Sequence, residues 1–401
     1  MPRGNAIAQP PRRVPGNAIF FPAAAAYAVF VLPASVCSML GMIGIFPGIA
    51  TPAGHAHEML FGFALAVVAG NQLGPRTRSS LALLVALWFL ARVAFLFFPR
   101  GALAVGANAG FPALLAWHLA PRLFGSAKKW RNQSLPVVLT AICGSAIVYL
   151  FVAHSPAAPA TAELSSYRIL LVAVSLFALL LLFMGGRLIA PVVAGQLHRQ
   201  GIHMVARVQP RIEAALIIVM IVATLAIVSD GTPRAATSGW ASRTAGAAMV
   251  VAGLLAALRI ARWGLWRIRG RADVLCLAAG YAWLAVGLVL LGAAHAGIGL
   301  SRYDETLALH VITIGSLGTL TLNVMAMTWL LRARRNPAST RLPAIATLLL
   351  ALATVVRVYA GAGPLEPRTM LLIASLCWSG AFAMLLVLLL RVDASGAKRR
   401  T

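Results

Sequence analysis

The sequence predicts an all-α, polytopic integral membrane protein of about twelve transmembrane helices, with both termini in the cytoplasm. Three observations carry that prediction. Of the 401 residues, 60% are hydrophobic and only 11% charged, at a mean hydropathy of +0.87. A soluble domain carries about 25% charged residues and could not keep this much apolar surface from water. The apolar residues come in runs of the length a bilayer core demands, about 20 residues each. The basic residues, finally, alternate from loop to loop.

By length and hydropathy the spans fall at about 19–47, 57–73, 80–98, 102–120, 135–153, 166–185, 214–232, 240–258, 274–294, 305–331, 341–361 and 369–391. The first is too long and too free of charge for the apolar region of a signal peptide, so it reads as a retained helix, kinked at Pro33. Residues 1–18, with four prolines and three arginines, read as a disordered cytoplasmic tail. Residues 19–391 form a single transmembrane domain, and 392–401 a basic cytoplasmic tail. The longest internal loop, roughly 186–213, is polar and holds His198 and His203. No sequence repeat relates the two halves.

Of the 34 lysines and arginines, 26 fall in the two termini and in every second loop. The alternate loops hold only Arg100, Arg234, Arg302 and Arg368, while Arg92, Arg168, Arg243 and Arg357 lie within or at the edges of spans. The positive-inside rule therefore places both termini in the cytoplasm, and the strict alternation supports the count of twelve, because one missed helix would scramble it. A net charge of +25 would otherwise suggest nucleic acid. Topogenic charge accounts for it, which removes nucleic acid as a partner and leaves the lipid bilayer. The cysteines, Cys37, Cys143, Cys276 and Cys377, are far apart in apolar runs and form no CxxC, so neither a zinc site nor a disulfide framework is indicated. The absence of CxxCH excludes covalent c-type haem by its usual motif.

On this topology His118, His198 and His203 lie on the cytoplasmic side, and His55, His57, His154, His295 and His310 lie at or near outer helix ends. Imidazole is the commonest protein ligand for haem, copper and zinc. The densest element is Gly54-His55-Ala56-His57-Glu58, which opens the second helix. Residues two apart on a helix point about 200° apart. Both histidines bind one metal only if His55 lies in the preceding loop; otherwise they serve two centres, or one alone is a ligand. Glu58 reads as a charge at a helix start, favoured by the macrodipole. The plain alternative is a polar interface without metal.

The tenth helix carries His310, Thr313, Ser316, Thr319 and Asn323 at intervals of three or four, one polar stripe on an apolar helix. Close helix packing explains its small and hydroxylated residues but not a histidine one turn inside the membrane. Arg92 and Arg357 lie in the outer thirds of their spans, with no Asp or Glu in either helix. A charge in the membrane is costly, and a bound anion, such as haem propionates or a carboxylate substrate, would neutralise each; snorkelling to the interface is the alternative. Met39 and Met42, one turn apart at the end of the first span, supply thioethers suited to Cu(I) or haem iron, although packing explains most such methionines.

The run His55-Ala-His57-Glu58-Met59-Leu60-Phe61-Gly62-Phe63-Ala64 resembles the signature of the NnrS family. Gly185-Gly186-Arg187-Leu-Ile189, Arg262-Trp263-Gly-Leu-Trp266-Arg267, Gly280-Tyr281-Ala-Trp283 and His310-Val-Ile-Thr313-Ile-Gly315-Ser316-Leu-Gly318-Thr319 match it in order along nearly the whole chain. The resemblance implies a twelve-helix protein of the bacterial inner membrane that contains haem and copper and is associated with nitric oxide metabolism and nitrosative stress. It names a context rather than a reaction. The chain departs from the family pattern twice. Gly70-Asn71-Gln72 stands where a Pro-Asn-Trp segment is usual, and Trp329-Leu-Leu-Arg332-Ala-Arg334-Arg335 where a further histidine is usual, so the resemblance leaves one metal site in doubt.

The resulting expectation is non-covalent, b-type haem in the outer leaflet, held by His57 and His310 at similar depth, with Arg92 and Arg357 against its propionates. His55 is the candidate copper ligand, and His295 a metal ligand or a residue that orients one. The alternatives are a twelve-helix secondary transporter for a small anion, clamped by Arg92 and Arg357, and a colourless assembly factor for respiratory complexes. Reporter fusions at residues 160 and 200 test the topology: opposite signals are expected, and matching signals would overturn the helix count.

Overall fold

A computed structural model describes residues 13–127, 130–154, 159–204, 208–230, 239–268, 270–298, 304–362 and 366–397. They form an all-α bundle of twelve helices in the expected order. These are α1 (Asn17–Met39), α2 (Pro52–Gln72), α3 (Arg78–Phe97), α4 (Ala102–Ser126), α5 (Trp130–Ala153), α6 (Pro159–Arg199), α7 (Pro210–Ser229), α8 (Trp240–Arg262), α9 (Ala272–His295), α10 (Asp304–Arg332), α11 (Leu342–Ala362) and α12 (Pro367–Ala397). Eleven are long and apolar enough to cross a membrane. The other, α2, is helical throughout but changes its winding on the way, from α-helix at Pro52–His57 to π-helix at Glu58–Ala64 and back at Leu65–Gln72. The chain is thus a multi-pass membrane protein.

Sequential helices from α3 to α10 pack as neighbours, and the bundle closes where α12 returns against α1 and α11. The most buried of the eleven spans are α6 and α10. Among the described residues only α10 shares the irregularity of α2, with a π-helical stretch over Val311–Gly318. In both helices the π turn begins directly after a histidine, His57 or His310. Such turns are rare and recur at functional sites.

Several expected boundaries move. The first helix ends at Met39 rather than near residue 47, because Leu40 and Gly41 close it and Gly41 adopts φ +71, a left-handed stop that glycine tolerates. Residues 40–51 fold back as a loop, and Thr51 then caps α2 by accepting a hydrogen bond from the Gly54 amide at 3.1 Å. The loop expected at 186–213 is largely helix. As a 41-residue helix, α6 runs for about 60 Å, well beyond a hydrocarbon core of about 30 Å, so its last turns project from the basic side. At the N-terminus, Arg13–Pro15 pairs antiparallel with Pro75–Thr77 in a two-stranded ribbon, Val14 opposite Arg76. Residues 1–12 of the expected tail lie outside the described residues; at the other terminus α12 continues to Ala397, leaving 398–401 outside.

Close crossing of α8 and α9 depends on the absence of side chains. A Cβ on Gly246 would stand 2.5 Å from the Gly292 carbonyl oxygen, and one on Gly292 would stand 2.5 Å from that of Gly246. Membrane helices associate through such backbone approach, since lipid offers no hydrophobic gain to separate them from. Gly246→Val is therefore expected to lower stability by about 1–3 kcal/mol, the usual cost of overpacking, read as an earlier thermal transition in detergent. An unchanged transition would show that the two helices separate freely.

Candidate functional site

Between the ends of α1, α2, α6, α10, α11 and α12 that lie opposite the basic loops is a cavity of about 990 Å³. Its wall is mainly apolar, with Leu60, Phe63, Leu171, Leu317 and Trp378, and three basic side chains reach it: His55, His310 and Arg357. Three different helices supply them. Thr313 of the polar stripe also lines the wall, whereas Ser316 and Thr319 are fully buried with hydroxyls that find no partner, and Asn323 donates to Thr347 Oγ1 at 2.8 Å.

Hydrogen bonding fixes which nitrogen each cavity histidine can offer. Ser35 Oγ donates its one proton to the Ile49 carbonyl at 3.0 Å. It can then only accept from His55, so Nδ1 of His55 carries hydrogen at 3.0 Å from Ser35 Oγ. His310 Nδ1 donates to the Thr306 carbonyl at 2.7 Å. Both rings therefore keep Nε2 as the bare, lone-pair nitrogen. A ligating histidine is prepared in this way, with its other N–H tied to a fixed acceptor. Arg357 has no hydrogen-bond or ion-pair partner among the described residues.

Arg92 is different, and the expected anion is not needed. Its Nη1 donates to Glu58 Oε1 at 2.6 Å, and its Nη2 donates to Asn108 Oδ1. The expectation failed because the carboxylate comes from α2, not from the arginine's own helix. Glu58 is likewise no exposed helix-start charge: it is fully buried, and it also accepts from Tyr27 OH and, at 2.9 Å, from His57 Nδ1. Gly62 makes the pair possible, since a Cβ there would stand 2.5 Å from Arg92 Nη1.

His57 belongs to this charged cluster. Its ring is 1% exposed, stacks on Phe95 with centroids 4.2 Å apart, and lies against Tyr149 at 5.0 Å. It is not on the cavity wall. Because α2 begins at Pro52, His55 lies inside the helix, and the two histidines face apart as the 200° argument requires. The structure thus brings His55, rather than His57, together with His310 and Arg357.

The remaining candidates separate. His295 Nε2 lies 3.7 Å from Glu305 Oε1, and its Nδ1 is 3.3 Å from Ser242 Oγ. Glu305 also accepts from Tyr167, a residue of the cavity wall, so His295 stands one carboxylate behind that wall. Met39 lines the cavity, but Met42 lies beyond the end of α1 and is exposed. Arg259, one of the 26 basic residues counted outside the expected spans, is buried in α8 and donates to the Leu182 carbonyl at 3.1 Å. Its guanidinium fills the space over Gly186, while Tyr281 fills that over Gly185, and Trp263 packs 5.2 Å from Tyr281. Three of the motifs noted in the sequence therefore meet in one packing cluster away from the cavity. Tyr27, Asn108 and Tyr167 were not foreseen; the available signal was an asparagine or tyrosine inside an otherwise apolar helix.

A family model described as NnrS protein matches residues 18–392 of the chain. No curated protein matches it.

Removing one member of a buried ion pair strands the other charge at a cost of about 3–5 kcal/mol. Arg92→Leu is therefore expected to lower the thermal transition strongly, and Arg92→Leu/Glu58→Leu to recover part of the loss. A double variant no more stable than Arg92→Leu would show that the Glu58 charge is not what the arginine compensates.

Proposed function

The chain belongs to the NnrS family, and from that premise we propose that it holds a haem non-covalently in the cavity between α1, α2, α6, α10, α11 and α12. Its role on this reading lies in nitric oxide metabolism or resistance to nitrosative stress, at the bacterial inner membrane. One observation carries the proposal: two histidines with their Nδ1–H groups tied to fixed acceptors share an apolar cavity with an arginine that has no hydrogen-bond or ion-pair partner among the described residues.

The donor set fits a haem. At about 990 Å³ the cavity stands at the upper end of the range of ligand sites, about 300–1,000 Å³. Neutral imidazoles are ordinary axial ligands, and haem, when bound, supplies an iron centre able to coordinate a small diatomic molecule. His55 and His310 would offer Nε2, Arg357 would neutralise a propionate, and the apolar walls would exclude water. His57 and Arg92, being committed to Glu58, hold the wall in position instead. The described residues gather no group of three His, Cys, Asp or Glu side chains, so the proposal extends to haem and includes no separate copper centre built from His55, His295 and their neighbours. The anion-transporter reading loses its pair of arginines, because Arg92 is engaged with Glu58 and only Arg357 reaches the cavity.

Absorption spectra of the full-length protein purified in mild detergent test this. A Soret band is expected in the wild type; His55→Ala and His310→Ala should lose most of it, and Arg357→Leu should lower haem retention severalfold. His198→Ala and His203→Ala, on the opposite side, should leave it intact. A wild-type protein that stays colourless when haem is supplied would overturn the proposal.

A further inference from the structure

A second pocket, of about 570 Å³, opens at the other end of the bundle, where α2 turns into α3 beside the last turns of α4. Arg13, Arg76 and Arg122 line it together with Trp117 and His118, and its lining includes no acidic residue. We propose that this pocket binds the phosphate of an anionic phospholipid headgroup.

The arginines are built into place. Arg122 Nη1 donates to the carbonyl of Leu73 at 2.8 Å and to that of Gln72 at 3.3 Å. Gly74, at φ +62, lies against the guanidinium so closely that a Cβ would stand 2.6 Å from Nη1. Arg76 Nη2 donates to the His118 carbonyl at 2.9 Å, and His118 is itself held between Ser80 Oγ and the Leu114 carbonyl, each at 2.9 Å. Arg13 is brought in by the strand pairing of Val14 with Arg76. Carbonyl oxygens orient the guanidiniums without neutralising them, and most of the five donors of each remain for a ligand. Burial, and after it the cations of Arg122 and Arg13, hold Arg76 below its ordinary pKa. An anion would relieve that repulsion.

Position favours a lipid as the source of the phosphate. Trp117 is 77% exposed on a helix long and apolar enough to span the membrane, five residues before Arg122. Exposed tryptophans on such helices mark the headgroup level, and basic pockets between helices on the cytoplasmic side take anionic headgroups. The charge alternation puts this pocket on that side.

The test uses the full-length protein in nanodiscs of phosphatidylcholine, of phosphatidylcholine with phosphatidylglycerol, and of phosphatidylcholine with inorganic phosphate in the buffer. Phosphatidylglycerol is expected to raise the thermal transition and to remain with the protein through detergent exchange, as read by mass spectrometry. Arg76→Gln/Arg122→Gln should weaken that retention by roughly thirtyfold, the loss of two interfacial cations. Should that variant fail to fold, Arg13→Gln/Trp117→Ala leaves every contact that holds the loop and should also reduce retention. Unchanged phosphatidylglycerol retention in the second variant would overturn the proposal. Inorganic phosphate raising the transition as far as phosphatidylglycerol would also overturn it, in favour of a soluble anion.

Discussion

A fully buried carboxylate at Glu58 is the constraint around which one half of this bundle is arranged. An ion of that size in a low-dielectric interior is tolerated only if it is paired and its remaining lone pairs are filled. Here Arg92, Tyr27 and His57 fill them, and Asn108 holds the far side of the guanidinium. The ion pair thereby ties α2 to α1, α3 and α4 at a single depth. A buried pair of this kind adds little net stability over a packed apolar substitute, but the partners have to meet, and so it fixes register. With α2 held on that side, its other side, carrying His55, is presented to the cavity.

The helix count and the order of the spans were legible in the sequence because hydropathy and charge alternation are sums over many residues and survive local exceptions. Individual partners were not. Arg92 looked unneutralised because its carboxylate is 34 positions away on another helix, and linear spacing does not say which faces meet. Glu58 looked like a helix-start charge because hydropathy delayed the start of α2 to residue 57, whereas Pro52 and the Thr51 cap begin it five residues earlier. That shift decides the histidines as well. It places His55 within the helix, so the side facing the cavity belongs to it and not to its neighbour two residues on. The long extension of α6 past residue 185 escaped because its projecting turns are too polar for a membrane ruler, although they are helical.

The cavity and the charged cluster divide the polar residues of α2 between two kinds of work. On one side, the Glu58 carboxylate accepts from Tyr27, His57 and Arg92 and holds the wall in place. On the other, Nε2 of His55, Nε2 of His310 and the Arg357 guanidinium stand around an apolar space without partners among the described residues. These half-buried groups are placed where a ligand entering the cavity can complete them. Farther along the chain, in the motif cluster around Arg259 and Tyr281, Arg259 Nη1 and Tyr281 OH instead meet on the Leu182 carbonyl.

The π turns after His57 and His310 set the phase of α2 and α10. A π turn closes its hydrogen bonds one residue later than an α turn, so it takes up an extra residue without lengthening the helix by a regular step. Above and below it, the two α-helical stretches are out of phase by the angle of about one residue, roughly 100°. Each of these helices can therefore keep one azimuth for packing in its lower half while its upper half carries a histidine along a different bearing. Loss of a single residue from either π stretch would act as a rotation, turning His55 or His310 around its axis while the packing below stayed in place. In both helices the cavity histidine lies in the α-helical stretch before the π turn, so the change of phase falls between it and the packing that follows.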